Sequence, residues 1–397
     1  MAQNNPTLVD LLSTRFSPIQ ENISEYLGAA EILALRQTAT GFSDLVESLR
    51  DTKYNIKNFL ARWFSDTKEF RSLQGKCNAY IVGDCTLDYF ARETASCVLG
   101  ISIEKKYKKA ITDYILAQGY DKDEDNDDGV IWFSIETDTE EIVIRMTLQS
   151  QSSMFAVLSR SYTTGSFVVI TWNKAYCLLP YQTIVLKEIY LLSDMDQGAT
   201  MELVDFSEQG YKTMSVHFRD RGKHKPLVRL RRVGDRYTWV MKLDTDGVEI
   251  PEVPDSVIES CTFRLRVEEE EGPIRERETV AHYETRCKPL FAPVLRYQYV
   301  IVKGRQREDP DHVELSETLQ SRLSELTKME ILKIPKAQRT ADCSRWLRES
   351  LSLKWIYDRF VDFPPSWTFY DDEVTKAMDY YWKRSQYKEG TSEEEER

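Results

Sequence analysis

The residues whose arrangement is most suggestive of chemistry lie between Asn78 and Ile103. The pattern there predicts a strand, a tight glycine turn, a helix and a second strand, over 79–82, 83–84, 85–93 and 98–103. A glycine turn that leads into a helix brings backbone N–H groups close to a phosphate. Two carboxylates placed two residues apart on the second strand would share one face and hold a metal ion. Val98 and Gly100 occupy such a pair of positions at the start of this strand, so the strand offers no carboxylate pair there.

Neighbouring carboxylates do not restore this site. Asp88 and Glu93 fall on the predicted helix, in the wrong geometry for joint chelation. The strand predicted over 142–148 carries no carboxylate on either face to complete a metal site. Metal-assisted phosphoryl transfer depends on such carboxylates to hold the cation. The sequence therefore predicts no catalytic residues, no metal and no cofactor, and favours a chain that is not an enzyme.

An acidic run imitates a second kind of metal site. Asp121, Asp123 and Asp125 match the first half of a calcium-binding loop. That loop needs glycine at its sixth position and glutamate at its twelfth, where this chain has Asn126 and Trp132. We therefore expect a solvated loop.

The remaining polar clusters give weak signals. One basic cluster stands out: Arg219, Arg221, Lys223, His224, Lys225, Arg229, Arg231 and Arg232. It has no interleaved aromatic residues, and the chain carries a net charge of −12, so nucleic-acid binding is not favoured and a solvated loop and strand face is expected. The four histidines have neither metal spacing nor a nucleophile partner: His217, His224, His282 and His312.

Composition places the chain among globular proteins. Its 397 residues allow two or three domains, and 41% of them are hydrophobic. The seven scattered cysteines show no CxxC pair, which predicts reduced, mostly buried thiols in an intracellular protein. No signal peptide is evident, and no apolar run reaches the roughly 18 residues of a membrane span. The expected location is cytoplasmic or nuclear, with no membrane partner.

The amino-terminal region predicts three short helices between Phe16 and Leu49. Ser17-Pro18 begins the first, because proline suits the first helical position. Apolar residues then recur at helical spacing: Ile19, Ile23, Tyr26, Leu27, Ile32, Leu33, Leu35, Phe42, Leu45 and Val46. Helices this short leave apolar surface for a partner.

This region resembles an F-box, the three-helix module that binds the Skp-type linker of cullin-RING ubiquitin ligases. The resemblance is carried by Pro18, Ile19, Ile23, Tyr26-Leu27, Ile32-Leu33, Leu35-Arg36 and Phe42. It implies that five side chains face the linker: Pro18, Ile19, Ile23, Leu33 and Leu35. The alternative is a helical cap that buries the same residues on its own domain.

Residues 15–245 are similar to a family of largely uncharacterised fungal proteins with an F-box-like start and a nucleotidyltransferase-like body. The similarity is carried by Ile56, Phe70-Arg71-Ser72, Asn78-Ala79, Gly83, Ile170-Thr171-Trp172-Asn173-Lys174-Ala175-Tyr176 and Arg232-Val233-Gly234-Asp235. The family has a glycine-serine turn and an aspartate-x-aspartate strand. This chain has Asp84, Val98 and Gly100 instead, and Asp84 would repel a phosphate. The resemblance therefore implies a degenerate site, made of Gly83, Asp84, Val98 and Gly100.

The predicted fold class is α+β, with a mixed sheet. The expected domains are an F-box-like module (15–50), a nucleotidyltransferase-like domain (51–245), a β-hairpin extension (246–310), a helical aromatic-rich region (311–388) and a disordered acidic tail (389–397). Further strands are expected over 183–192, and a hairpin of 227–233 with 237–243 turns at Gly234-Asp235. The aromatic residues after Trp346 either pack against the body, which is favoured, or form a recognition surface.

The resemblance implies a protein-binding adaptor, a substrate receptor of a cullin-RING ubiquitin ligase. Its partners would be the Skp-type linker and an unidentified protein client, recognised by a catalytically inactive body. Two alternatives stay open: a nucleotidyltransferase-fold enzyme or nucleotide binder with relocated ligands, and an interaction scaffold without a ligase partner.

Overall fold

A computed structural model describes residues 7–12, 16–38, 42, 45, 49–50, 52–92, 98–123, 129–214, 227–267, 283–304, 310–349, 351–360 and 363–395. By its contacts the chain divides into two compact units. The first comprises 1–225, 235–253 and 267–284, and the second comprises 226–234, 254–266 and 285–397. Helices hold 46% of the described residues and strands 21%, and the main sheet is mixed, so the fold is α+β, as the sequence predicts.

The helices are α1 (Leu8–Leu11), α2 (Ser17–Glu25), α3 (Ala29–Thr38), α4 (Ile56–Leu60), α5 (Thr67–Lys76), α6 (Asp84–Ala91), α7 (Lys108–Ala117), α8 (Ser153–Arg160), α9 (Gln197–Glu208), α10 (Ser256–Glu259), α11 (Pro310–Lys333), α12 (Ala341–Arg348), α13 (Leu353–Tyr357) and α14 (Asp371–Glu395). Several begin at a side chain that accepts hydrogen bonds from first-turn N–H groups: Asn55, Asp66, Ser152 and Asp196.

The strands are β1 (Tyr80–Val82), β2 (Val98–Glu104), β3 (Asp121–Lys122), β4 (Val130–Glu136), β5 (Glu141–Gln149), β6 (Val168–Ile170), β7 (Lys174–Cys177), β8 (Glu188–Tyr190), β9 (Lys212–Met214), β10 (Leu230–Arg232), β11 (Trp239–Lys242), β12 (Thr262–Val267), β13 (Tyr283–Arg286), β14 (Lys288–Leu290) and β15 (Tyr299–Ile301). In the described part of the first unit, eight of them form one sheet in the order β11-β7-β6-β1-β2-β5-β4-β3. β2 and β5 run parallel, and the other neighbours run antiparallel.

Two predictions of local structure are confirmed at the centre of this sheet. The stretch from β1 through Gly83 and α6 to β2 has the predicted strand–turn–helix–strand order. β4 and β5 form the predicted hairpin, with Ile135 paired to Ile142 beside the turn. These elements have strong local signals, because alternating apolar residues flank short polar turns.

Other predictions of local structure are wrong. The expected hairpin across Gly234-Asp235 does not form, because β10 pairs with β12 and β11 pairs with β7. Residues 183–192 are not one strand: a π-helical turn over Tyr181–Val185 precedes the short β8. The predicted disordered tail also differs, since α14 continues to Glu395 through a glutamate-rich end, and glutamate has good helix propensity.

The amino-terminal helices share the core of the first unit. Ile32 and Leu33 of α3 are buried in the same apolar cluster as Ile81 of β1. The Arg92 guanidinium donates hydrogen bonds to the carbonyl oxygens of Ser24 and Leu27. The described part of α2 and α3 is therefore tied to the body by apolar packing and by charge-assisted hydrogen bonds.

Arg71 is a buried cation that holds together three segments of the first unit. It is 1% exposed and donates hydrogen bonds to the carbonyl oxygens of Trp172 and Asp244. Burial lowers the pKa of Arg71 to about 10, so it stays charged at neutral pH. Gln74, one turn further along α5, donates to the Ile170 carbonyl at 2.9 Å. Helix α5 therefore holds the backbone at Ile170 and Trp172 through hydrogen bonds, and Trp172 is the first residue of the tryptophan-asparagine-lysine motif.

The second unit contains two long helices, α11 and α14, and hydrogen bonds hold the start of α14. Asp371, the first residue of α14, accepts hydrogen bonds from the Arg296 and Tyr297 N–H groups and the Tyr299 hydroxyl. Trp367 is buried and donates to the Pro293 carbonyl at 3.1 Å. The aromatic residues here therefore pack mainly within their own unit, although Phe363 and Tyr380 stay exposed.

Candidate functional site

A row of four residues crosses the central strands of the first unit. Val82 pairs with Gly100, Gly100 pairs with Arg145, and Arg145 pairs with Trp132. Residues that are paired directly across strands project from the same face of the sheet. This face therefore presents an aliphatic side chain, a bare glycine backbone, a guanidinium and an indole side by side.

The glycine turn stands at one end of this row. Gly83 has φ +90°, a backbone conformation that side chains disfavour, and it precedes the first residue of α6, Asp84. A Cβ placed at Gly83 would lie 3.4 Å from Nη2 of Arg145. The guanidinium of Arg145 therefore lies against the turn.

These residues line a cleft of about 470 Å³. Its lining is Val82, Gly83, Asp84, Val98, Gly100, Trp132, Arg145, Asp205, Glu208 and Gln209. The four residues of the expected degenerate motif are thus brought together in one place. The end of α9 also contributes to the lining, which the sequence does not anticipate.

At position 100 the backbone leaves no room for a side chain. A Cβ at Gly100 would lie 2.3 Å from the carbonyl oxygen of Val82. Real Cβ atoms do not approach an oxygen so closely, so β1 and β2 would have to move apart to admit any side chain. The glycine is therefore required by the packing of these two strands.

The side chain of Arg145 has no hydrogen-bond partner among the described residues. Its Nε is buried without an acceptor, and its guanidinium carbon lies 5.9 Å from the centre of the Trp132 ring. A fixed positive charge therefore occupies the strand next to β2, where a third metal-binding carboxylate would be expected. Cation binding in the cleft is opposed by this charge.

Acidic side chains surround the guanidinium. Asp84 makes no side-chain hydrogen bond among the described residues, and burial raises its pKa, with Arg145 lowering it and Asp205 raising it. Glu202 of α9 interacts electrostatically with both Asp84 and Arg145, and it accepts hydrogen bonds from the hydroxyls of Thr163 at 2.6 Å and Ser166 at 2.9 Å. Burial raises the pKa of Glu202. Asp205 and Glu208 are exposed at the rim of the cleft.

α9 has a clear local signal in the sequence, although it belongs to none of the recognised motifs. Asp196 caps the helix, and its buried residues Ala199, Leu203 and Phe206 recur at helical spacing. Asp205 and Glu208 then fall on a solvent-facing side of the same helix. By contrast, no local signal places Arg145 beside Gly100, because strand pairing is set by the tertiary fold.

The raised pKa of Asp84 gives a testable pH dependence. An acid whose pKa is higher in the folded protein contributes stability below its unfolded pKa of about 4, and this contribution is lost as pH rises through the folded pKa. We expect Asp84→Asn to raise the free energy of unfolding at pH 7 and to flatten its pH dependence above about pH 4. Urea denaturation from pH 4 to 8 measures this. Asp113→Asn, on the surface of α7, is the control, and an unchanged profile in Asp84→Asn would contradict the burial of this carboxyl group.

The five expected linker-binding residues do not form one exposed surface. Pro18 and Ile19 are exposed, and Ile19 retains 43% of its accessible surface. Ile23 and Leu35 are half-buried against the core, and Leu33 is 7% exposed. The outward face of α2 is therefore the part of this segment that a partner could reach without unpacking the core.

The other clusters of the sequence are only partly described. Asp121 and Asp123 are exposed, whereas Asp125 and Asn126 lie outside the described residues. Residues 219–225 of the basic cluster also lie outside the described residues, as do Cys97 and the histidines at 217, 224 and 282. The side chain of His312 is not described either. The six described cysteines are buried and free, as predicted. Within the described ranges, no group of three His, Cys, Asp or Glu residues is placed to hold a metal ion.

Comparison with known proteins adds no relative to this picture. No family model, curated protein or solved structure matches the chain. Among the described residues, no helix is long and apolar enough to cross a membrane.

Proposed function

We propose that this chain is a binding protein that does not catalyse phosphoryl transfer. Its body is a degenerate nucleotidyltransferase-like domain that recognises a protein client. Its amino-terminal helices bind the Skp-type linker of a cullin-RING ubiquitin ligase, which makes the chain a substrate receptor.

One observation carries the non-catalytic part of the proposal. The second metal-ligand position, Gly100, is blocked by the Val82 carbonyl, and the guanidinium of Arg145 lies beside it. Phosphoryl transfer in this kind of site needs carboxylates that hold a divalent cation. A blocked position and a resident positive charge both act against that cation.

The exposed face of α2 supports the partner-binding part. Pro18, Ile19 and Tyr26 are exposed, and Tyr26 retains 89% of its accessible surface. Exposed aromatic and aliphatic side chains in one segment are typical of protein-binding surfaces. The F-box-like pattern of the sequence assigns the same helix to the linker.

A pull-down with the purified Skp-type linker tests this part. We expect the wild-type chain to capture the linker and Ile19→Asp to weaken capture about tenfold or more, because a charge would be buried in an apolar interface. Leu116→Asp is the matched control, since Leu116 is 41% exposed and lies on α7. No capture by the wild type, or equal capture by Ile19→Asp, would contradict the adaptor.

A second candidate is an enzyme or nucleotide binder with relocated ligands. It is favoured by three carboxylates that line the cleft beside Gly83, those of Asp84, Asp205 and Glu208, although the described residues include no three such groups placed to hold one metal ion. A metal ion held by these groups would have to overcome the charge of Arg145. This candidate requires nucleotide binding that depends on Mg²⁺ and on Asp205.

A third candidate is an interaction scaffold without a ligase partner. It is favoured by the burial of Ile32 and Leu33 in the core of the body, which is how a helical cap would use them. In the pull-down, a folded wild-type chain that fails to capture the linker would favour this candidate.

A further inference from the structure

Two buried polar atoms of the cleft have no partner in the described chain. They are Nε of Arg145 and Oε1 of Gln209. Buried polar atoms in folded proteins are nearly always hydrogen-bonded, either to the protein or to something bound. An arginine side chain offers five N–H donors and no acceptor, so Arg145 is a donor group without an acceptor. A ligand with acceptor oxygens in the cleft would supply acceptors to the Arg145 guanidinium, which lines it.

The end of α9 brings negative charge to the same cleft. Asp205 and Glu208 lie in the last turn of α9, where the helix dipole adds further negative potential. Neither side chain forms an ion pair within the described residues. A ligand that pairs with both charges carries an anionic group for Arg145 and a cationic group for Asp205 and Glu208.

We propose that the cleft binds a ligand that joins a free carboxylate to a basic side chain, as in a basic amino acid or the basic carboxyl-terminal residue of a peptide. The carboxylate accepts paired hydrogen bonds from Arg145, and the basic group lies against Asp205 and Glu208. The cleft volume of about 470 Å³ lies within the usual range of about 300 to 1,000 Å³ for small-ligand sites. A phosphate ester suits the site less, because it carries no positive charge to pair with Asp205 and Glu208.

This inference rests on the proposed absence of a metal site, since a bound cation would compete for the same carboxylates. It deepens the proposed client recognition by naming the chemistry that the body reads. The ligand has two candidate sources, a free amino acid and the end of a peptide, which share that chemistry. The titration described next distinguishes between them.

Calorimetric titration of the full chain measures the binding. We expect L-arginine, or the peptide Gly-Gly-Arg with a free carboxylate, to bind with a Kd below about 1 mM. Agmatine lacks the carboxylate, citrulline lacks the positive charge, and the peptide amide lacks the terminal anion. Each should bind about tenfold or more weakly than its parent, because a charge-assisted hydrogen bond is lost. Tighter binding of the peptide than of arginine assigns the site to peptide ends, and the reverse order assigns it to the amino acid.

Variants locate the binding in the cleft. Arg145→Gln should remove the preference for arginine over agmatine, and Asp205→Asn combined with Glu208→Gln should remove the preference for arginine over citrulline. The second variant changes exposed residues only, so it remains informative if Arg145→Gln does not fold. Arg322→Gln, an exposed charge change on α11, is the control.

The inference is overturned if neither arginine nor the free-carboxylate peptide binds the wild type, or if binding ignores both variants. A separate titration with Mg²⁺ and nucleotide distinguishes two kinds of failure. If the nucleotide binds in a Mg²⁺-dependent way and arginine does not, the proposed function fails as well. If neither binds, only the basic-carboxylate ligand is excluded.

Discussion

Gly100→Asp is expected to lower the free energy of unfolding by more than about 3 kcal/mol. The new Cβ would meet the Val82 carbonyl at 2.3 Å, so β1 and β2 would have to separate in the middle of the main sheet. The larger aspartate side chain would also have to be placed at a position that the backbone of β1 closes at the Cβ. Urea denaturation followed by circular dichroism measures the change.

Two matched variants separate the causes of this loss. Gly100→Ala tests the steric term alone and should cost about 1 to 3 kcal/mol, as overpacking does. Val98→Asp introduces the same carboxylate two residues earlier on the same strand, at a half-buried position, and should cost less. Equal stability of Gly100→Asp and the wild type would show that position 100 can accept a metal ligand, contrary to our account.

Arg71→Met is expected to lower the free energy of unfolding by about 3 to 5 kcal/mol. Methionine fills similar volume but donates no hydrogen bond, which leaves the half-buried carbonyl oxygens of Trp172 and Asp244 without the Arg71 donors. The same denaturation assay measures this effect. We expect Arg71→Lys to restore only part of it, since an ammonium lacks the planar fork that reaches two carbonyls.

Lys76→Met is the control for Arg71→Met. It removes a positive charge from the same helix, and the Lys76 side chain is 58% exposed in its ion pair with Glu249. Exposed pairs of this kind contribute about 0 to 1 kcal/mol. A loss of less than about 1 kcal/mol in Arg71→Met would contradict the fastening role of Arg71.

The secondary-structure elements of the site could be predicted from the sequence more fully than the contacts between its residues. The strand–turn–helix–strand from Tyr80 to Glu104 follows from local patterning, because alternation, a glycine turn and helical spacing are each encoded within a few residues. The identity of the motif residues was equally plain, since Asp84, Val98 and Gly100 can be read directly. These residues do line one cleft.

The rest of the site depends on contacts between residues distant in sequence. Arg145 could be assigned to a face of β5, but its place beside Gly100 follows from the parallel pairing of β2 with β5, which no local pattern specifies. The failed hairpin has the same cause. A Gly234-Asp235 turn between two strands favours a hairpin, yet the flanking strands β10 and β11 pair with different distant strands.

The amino-terminal helices illustrate a different limit. Helical spacing identified the apolar residues correctly, but periodicity cannot say whether a side chain faces a partner or its own core. Ile19 is exposed and Leu33 is buried, although both fit the same F-box-like pattern. Only the packing of α3 in the first unit separates them.

The central proposal is that the cleft beside Gly83 does not bind a metal-bound nucleotide. Calorimetric titration of the full chain with a non-hydrolysable nucleoside triphosphate, with and without Mg²⁺, tests it most directly. Our account predicts no Mg²⁺-dependent binding by the wild type, because Arg145 and the closed Gly100 position exclude the cation. Mg²⁺-dependent binding that is lost in Asp84→Asn and Asp205→Asn, and kept in the surface control Asp113→Asn, would contradict it.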